Sequence, residues 1–123
     1  MAVILIVEDD PLIRECAEMM MQEWGHETLA AGNVAAALDL LATEPRIEAL
    51  ATDIQLSKAA DDGFQLARRA VAMRPDLRVL YMTGSSLHDS LTDLFVAGAH
   101  YIQKPYSEEG LRKSVDGLLA ATP

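Results

Sequence analysis

The chain has 123 residues, one cysteine, and nineteen acidic against ten basic residues, for a net charge of −9. That length suffices for one domain with its own core, whereas the acidic balance argues against nonspecific nucleic-acid binding and fits a protein that binds a cation or docks on a basic or apolar partner. Cys16 alone excludes a disulfide framework or multi-cysteine zinc site, no apolar run approaches the ~20 residues of a membrane span, and residues 2–7 are too short for a signal peptide.

Residues 2–7 read as an apolar strand. A helix over 11–24 follows, with Asp10 as N-cap, Pro11 in its first turn and Gly25 as its stop. Its apolar residues Leu12, Cys16, Met20 and Trp24 recur every four positions and are expected to face inward. Residues 27–30 form the second and weakest strand signal. Asn33 caps the second helix, with Val34, Leu38 and Leu41 on one face. Residues 47–52 form the third strand. Asp62 or Gly63 opens the third helix, with Leu66, Ala70 and Met73 inward, and Pro75 ends it. Residues 78–82 are the fourth strand, and Leu87, Leu91, Leu94 and Phe95 mark a fourth helix. Residues 100–103 are the fifth strand. Ser107 then caps a fifth helix with Leu111, Val115, Leu118 and Leu119 along one stripe. This alternation predicts an α/β domain with a doubly wound, flavodoxin-like five-stranded parallel sheet, strand order 2-1-3-4-5, and five helices.

In such a sheet the ligand lies beyond the carboxyl ends of the strands. The first strand ends in Glu8-Asp9-Asp10, the third in Asp53, the fourth in Thr83 and the fifth in Lys104-Pro105. The predicted order makes strands one and three neighbours, so Glu8, Asp9 and Asp53 converge. Three carboxylates in one cleft raise each other's pKa values or recruit a cation. Mg²⁺ is the natural candidate, being hard and oxygen-seeking, and no Cys/His cluster offers a softer metal a better site. A carboxylate beside Mg²⁺ is a nucleophile toward phosphorus that yields an acyl phosphate. The metal and Lys104 would neutralise the transferring group, and Thr83 would donate to one of its oxygens. Asp10 reads as a helix cap and Cys16 as inert core. His26, His88 and His100 share no ligand spacing.

Four segments stand in order along that edge: Ile-Leu-Ile-Val-Glu-Asp-Asp at 4–10, Ala-Thr-Asp at 51–53, Leu-Tyr-Met-Thr-Gly at 80–84 and Tyr-Ile-Gln-Lys-Pro at 101–105. Through them the chain, over essentially all of residues 1–123, resembles the receiver domain of bacterial two-component response regulators. The resemblance implies that Asp53 is the phosphoacceptor, taking a phosphoryl group from a histidine of a sensor histidine kinase or histidine phosphotransfer protein. It implies that Glu8, Asp9 and Asp53 hold Mg²⁺, with the backbone carbonyl of Gln55 as a further ligand. Thr83 and Lys104 match the pair that contacts the phosphoryl oxygens, and Tyr101 matches the aromatic that turns inward with Thr83. The Lys104–Pro105 peptide is expected to be cis. Such a chain is no ordinary enzyme: it catalyses only its own phosphorylation and dephosphorylation. With Met1 present and no output segment after the fifth helix, a cytoplasmic single-domain regulator is expected. Its downstream target, of unknown identity, would be a protein met through the fourth predicted helix, fifth strand and fifth predicted helix, with no DNA or membrane contact. The chain would act as a monomer or a phosphorylation-dependent dimer.

The loop after Asp53 departs from the family pattern. Ser57 stands where the family places proline, and Gly63 follows Asp53 by ten residues rather than eight, which implies a two-residue insertion. Serine frees φ and restores a backbone N–H, so mobility there and altered kinase recognition or phosphoryl lifetime are expected. Gln55 and Ser85 flank the path of the hydrolytic water in the family.

Three alternatives remain. A small Mg²⁺-dependent aspartyl phosphatase usually carries Asp-x-Asp after the first strand, where this chain has Glu8-Asp9-Asp10. A flavodoxin-like electron carrier needs a Ser/Thr/Gly-rich first loop for its phosphate, which an acidic loop would repel. A docking module without phosphorylation, a pseudo-receiver, needs none of Glu8, Asp9, Asp53, Thr83 and Lys104.

Overall fold

The computed structural model describes residues 2–54, 56, 62–84 and 94–120. In chain order the elements are β1 (Val3–Val7), α1 (Pro11–Glu23), β2 (Glu27–Ala31), α2 (Val34–Thr43), β3 (Ala49–Asp53), α3 (Asp62–Met73), β4 (Arg78–Thr83), β5 (His100–Gln103) and α4 (Glu108–Ala120). The strands form one sheet in the order β2-β1-β3-β4-β5, and every pairing is parallel. This is the expected strand order.

The central strands are apolar on both faces because both faces are covered. Leu5, Leu50, Val79 and Tyr81 pack with Ala37, Leu41, Phe64 and Leu66 from α2 and α3. Ile4, Ile6, Ala51, Leu80 and Met82 pack on the opposite face with Ala17 and Met21 of α1 and Leu111, Val115 and Leu118 of α4. The register sets Val7 beside Thr52, Asp53 beside Met82 and Thr83 beside Gln103. The polar strand ends therefore share one edge.

The helix starts follow their predicted caps. The Asp10 carboxylate accepts from Leu12 N–H at 2.9 Å, Asn33 Oδ1 from Ala36 N–H at 2.8 Å, and Ser107 Oγ from Gly110 N–H at 2.9 Å. At the sheet's far edge, Arg74 donates to the carbonyls of Ile47, Leu41 and Glu44. It satisfies carbonyls at the α2 C-terminus that have no helical partner. His26 takes no part in the strand-end chemistry; its Nδ1 accepts the Ala2 N–H at 3.2 Å.

Several expectations need correction. Four helices occur among the described residues, not five. Leu87 and Leu91, which marked the fourth predicted helix, lie outside them, and Leu94 and Phe95 sit in a turn and a bend. The inward face of α1 is Ala17 and Met21, whereas Leu12 and Cys16 are exposed. The reason is geometric. With 3.6 residues per turn, each step of four overshoots by about 40°, so a strict four-residue series winds off the face it starts on. Cys16 instead lines an open apolar cleft of about 620 Å³ with Leu12, Ile13, Met20 and Tyr106. Met73 is likewise exposed, since Phe64, Leu66, Ala67 and Ala70 fill the inner face of α3. No helix among the described residues is long and apolar enough to cross a membrane.

Candidate functional site

The C-terminal edge of the sheet gathers the polar strand ends into one cluster. Glu8 follows β1 and is only 2% exposed; Asp53 ends β3 at 9% and Thr83 ends β4 at 5%. Carboxylate oxygens of Glu8, Asp9 and Asp53 lie within 4.8 Å of one another. Lys104 reaches in from beyond β5, its Nζ 2.9 Å from Glu8 Oε2 and 3.0 Å from Asp53 Oδ2. Its backbone N–H donates to the Thr83 carbonyl at 2.6 Å, which ties the end of β5 to that of β4. The Lys104–Pro105 peptide is cis, as expected.

Burial is the largest influence on Glu8 and pushes its carboxyl above the ordinary range. The Asp53 charge adds to this, and the Lys104 hydrogen bond opposes it without cancelling it. Burial alone would lower Lys104, but hydrogen bonds to Glu8 and Asp53 and their two charges outweigh it and hold the ammonium above its usual value. The cluster is thus short of positive charge. An all-oxygen donor set of this spacing fits a hard divalent cation such as Mg²⁺ and no soft metal.

A pH dependence follows. The folded chain retains a proton on Glu8 that the unfolded chain releases, in the interval above the ordinary value of 4.5. Stability from protonated Glu8 is therefore complete below that value and is lost as pH rises through the folded one. Glu8→Gln stays neutral throughout. Without divalent cations it is expected to be more stable than the wild type at pH 7, with the difference closing as pH falls toward 4.5. Urea midpoints across that range check it; a less stable variant at pH 7 would contradict it.

The remaining predicted positions divide. Tyr101 is 52% exposed, so its ring points outward here. It rests on Phe95 at 5.8 Å between centroids, and Phe95 lies 4.5 Å from Tyr81. Gln55, Ser57 and Ser85 lie outside the described residues, as does the rest of the segment 57–61, where the insertion is expected. Three residues at or near the site were not singled out from sequence. Thr52 is fully buried and its hydroxyl donates to the Asp53 carbonyl at 3.0 Å. The Tyr81 hydroxyl accepts the Val96 N–H at 3.2 Å. Arg14 Nη1 donates to the Glu8 carbonyl at 3.0 Å. Only Arg14 left a sequence signal, a cation one helical turn after the capping Asp10.

Residues 4–116 match the family described as the response regulator receiver domain. The chain belongs to that family. It is a receiver domain of the kind found in two-component response regulators. The receiver is 30% identical over 119 residues to the response regulator receiver protein CpdR of Brucella abortus, covering 96% of this chain and 97% of that protein. It is 28% identical to the response regulator MprA of Mycobacterium avium, but spans about half of that protein's length (51%). Among solved structures, a response regulator receiver protein from Sinorhizobium medicae superposes with a TM-score of 0.86 at 25% identity, covering 98% of this chain and 95% of that one. The response regulator TrrA of Thermotoga maritima, solved in complex with Mg²⁺-BeF, gives 0.81 at 25% identity, covering 96% and 99%.

Proposed function

We propose that this receiver is the phosphoacceptor of a two-component phosphorelay and that Asp53 takes the phosphoryl group. The observation that carries this reading is the Lys104 ammonium bridging Glu8 and Asp53 where three carboxylates meet. A carboxylate oxygen of Asp53 bonds to phosphorus as the N–P bond of a phosphohistidine breaks. The electron pair goes to the imidazole nitrogen, which takes a proton from solvent. The donor is a sensor histidine kinase or histidine phosphotransfer protein. Glu8, Asp9 and Asp53 would hold Mg²⁺, with the backbone carbonyl of Gln55 as a further ligand. When bound, Mg²⁺ supplies positive charge against the phosphoryl oxygens. Lys104 holds one phosphoryl oxygen and the Thr83 hydroxyl donates to another. Water later attacks the phosphorus, the bond from the Asp53 oxygen to phosphorus breaks, and inorganic phosphate leaves with the carboxylate restored; these are the only reactions the chain catalyses.

Moving the Thr83 hydroxyl onto the phosphoryl group opens space into which Tyr101 turns. Phosphorylation thereby favours one of two packings of these residues. The surface that changes comprises β5, α4 and the segment before β5, and it meets a downstream protein, with the receiver a monomer or a phosphorylation-dependent dimer. Residues 1–123 are read as one receiver domain, a reading supported by the near-complete coverage of CpdR, and as working in the cytoplasm. Adding beryllofluoride, a phosphoryl mimic, with Mg²⁺ tests the switch. Amide resonances of Asp53, Thr83 and Tyr101 are expected to shift together, only with Mg²⁺ present and not in Asp53→Asn. Equal shifts in Asp53→Asn would overturn it.

A further inference from the structure

We infer that Arg14, through the main chain of Glu8, is a positioning residue for the cation site, with Gly32 as its seat. The inference rests on the reading of Glu8 and Asp9 as Mg²⁺ ligands. The stretch that carries them leaves the sheet at Glu8, and four hydrogen bonds fix it there. Glu8 N–H donates to the Ala31 carbonyl at the end of β2 at 3.1 Å. Arg14 Nη1 donates to the Glu8 carbonyl at 3.0 Å. Asp10 caps α1 through Leu12 N–H at 2.9 Å, and the Asp10 carbonyl accepts from Arg14 N–H at 3.0 Å. The Glu8 peptide units are thus held from the sheet on one side and from α1 on the other, and Arg14 supplies the only side-chain contact to the Glu8 carbonyl among the described residues.

The guanidinium has a dedicated place. A Cβ at Gly32 would come within 3.1 Å of Arg14 Nη1. The absent side chain on the β2–α2 connection therefore leaves room for the fork. Gly32 has no positive φ, so its smallness, not backbone freedom, is what the position uses. Arg14 is half-buried, and its planar fork keeps a fixed geometry on the carbonyl that a flexible ammonium holds less well.

Charge and position predict opposite outcomes. Arg14 is a cation near a cation site, so deleting it would tighten Mg²⁺ binding if its charge acted through space. If it positions the Glu8–Asp9 stretch, deleting it weakens binding. Removing the partners that orient metal ligands typically costs 10–100-fold in affinity.

Calorimetric Mg²⁺ titration at pH 7, with thermal melts to confirm folding, separates these. Arg14→Met, which keeps the apolar stem, is expected to bind about tenfold more weakly. Arg14→Lys, whose ammonium holds the carbonyl less well, is expected to recover only part of the loss. Gly32→Ala leaves every charge in place and displaces the fork by a few tenths of an ångström; a severalfold loss is expected there too. The inference is overturned if the wild type binds Mg²⁺ and both Arg14→Met and Gly32→Ala bind as tightly or more tightly. If the wild type binds no Mg²⁺, the metal-site reading falls and the inference falls with it.

Discussion

Gly63→Ala is expected to cost about 3 kcal/mol or more of folding stability, the upper end for overpacking a core position. A Cβ at this position would stand 2.1 Å from the Asp53 carbonyl oxygen, 2.7 Å from Ile54 Cα and 2.8 Å from the Ile54 carbonyl oxygen. All three are backbone atoms, so no rotamer change relieves the clash. Gly63 N–H donates to the Ile54 carbonyl at 2.8 Å, and this bond closes the long loop back onto the end of β3. Relief requires α3 to lift away from the sheet, which pulls Phe64, Leu66, Ala67 and Ala70 out of the core. Because the clash is with Asp53 itself, the same change displaces the proposed phosphoacceptor. Urea denaturation measures the loss. An unchanged midpoint would contradict the account of why α3 starts where it does.

Lys104→Met is expected to destabilise the metal-free protein by roughly 3 kcal/mol at neutral pH, the scale for breaking a buried ion pair. Methionine keeps the apolar stem and removes the ammonium. Two acids then face each other without the cation that lies within 3.0 Å of each. The deficit should narrow as pH falls, because Glu8, already held above the ordinary carboxyl range chiefly by burial, takes up a proton and one of the two charges disappears. A deficit independent of pH would locate the lysine's contribution in packing instead. On the proposed function the same substitution also removes the cation that would hold a phosphoryl oxygen, so phosphorylation should slow by about 100-fold or more.

The strand–helix alternation was legible because apolar strands and helix caps repeat regularly, and the strand order came with the flavodoxin-like arrangement of such units. The apolar runs are short, and Asp10, Asn33 and Ser107 mark helix starts through local hydrogen bonds that need no tertiary context. The convergence of Glu8, Asp9 and Asp53 followed from that order alone, since β1 and β3 pair in parallel. Helix faces were less legible. On α1 the four-residue series holds only in part: Met20 and Trp24 pack against the core, Leu12 and Cys16 are exposed, and Ala17 and Met21 fill the inner face. Alanine is weakly apolar in any pattern reading, yet it is what lets the helix lie close to the sheet. Strand limits moved by a residue or two for a similar reason. Ile47 N–H bonds back to the Glu44 carbonyl in a turn, so β3 begins later, at Ala49. Contacts through the main chain were the least legible. Arg14 on the Glu8 carbonyl, Thr52 on the Asp53 carbonyl and Tyr81 on the Val96 N–H each join an ordinary residue to a group every residue has.

The most direct test of the central claim is the intact mass of the protein after incubation with Mg²⁺ and acetyl phosphate, beside Asp53→Asn. The account predicts a gain of one phosphoryl group in the wild type, none in the variant, and none in the wild type when EDTA removes the cation. A folded wild-type protein that binds Mg²⁺ yet gains no mass, or an equal gain in Asp53→Asn, would contradict it.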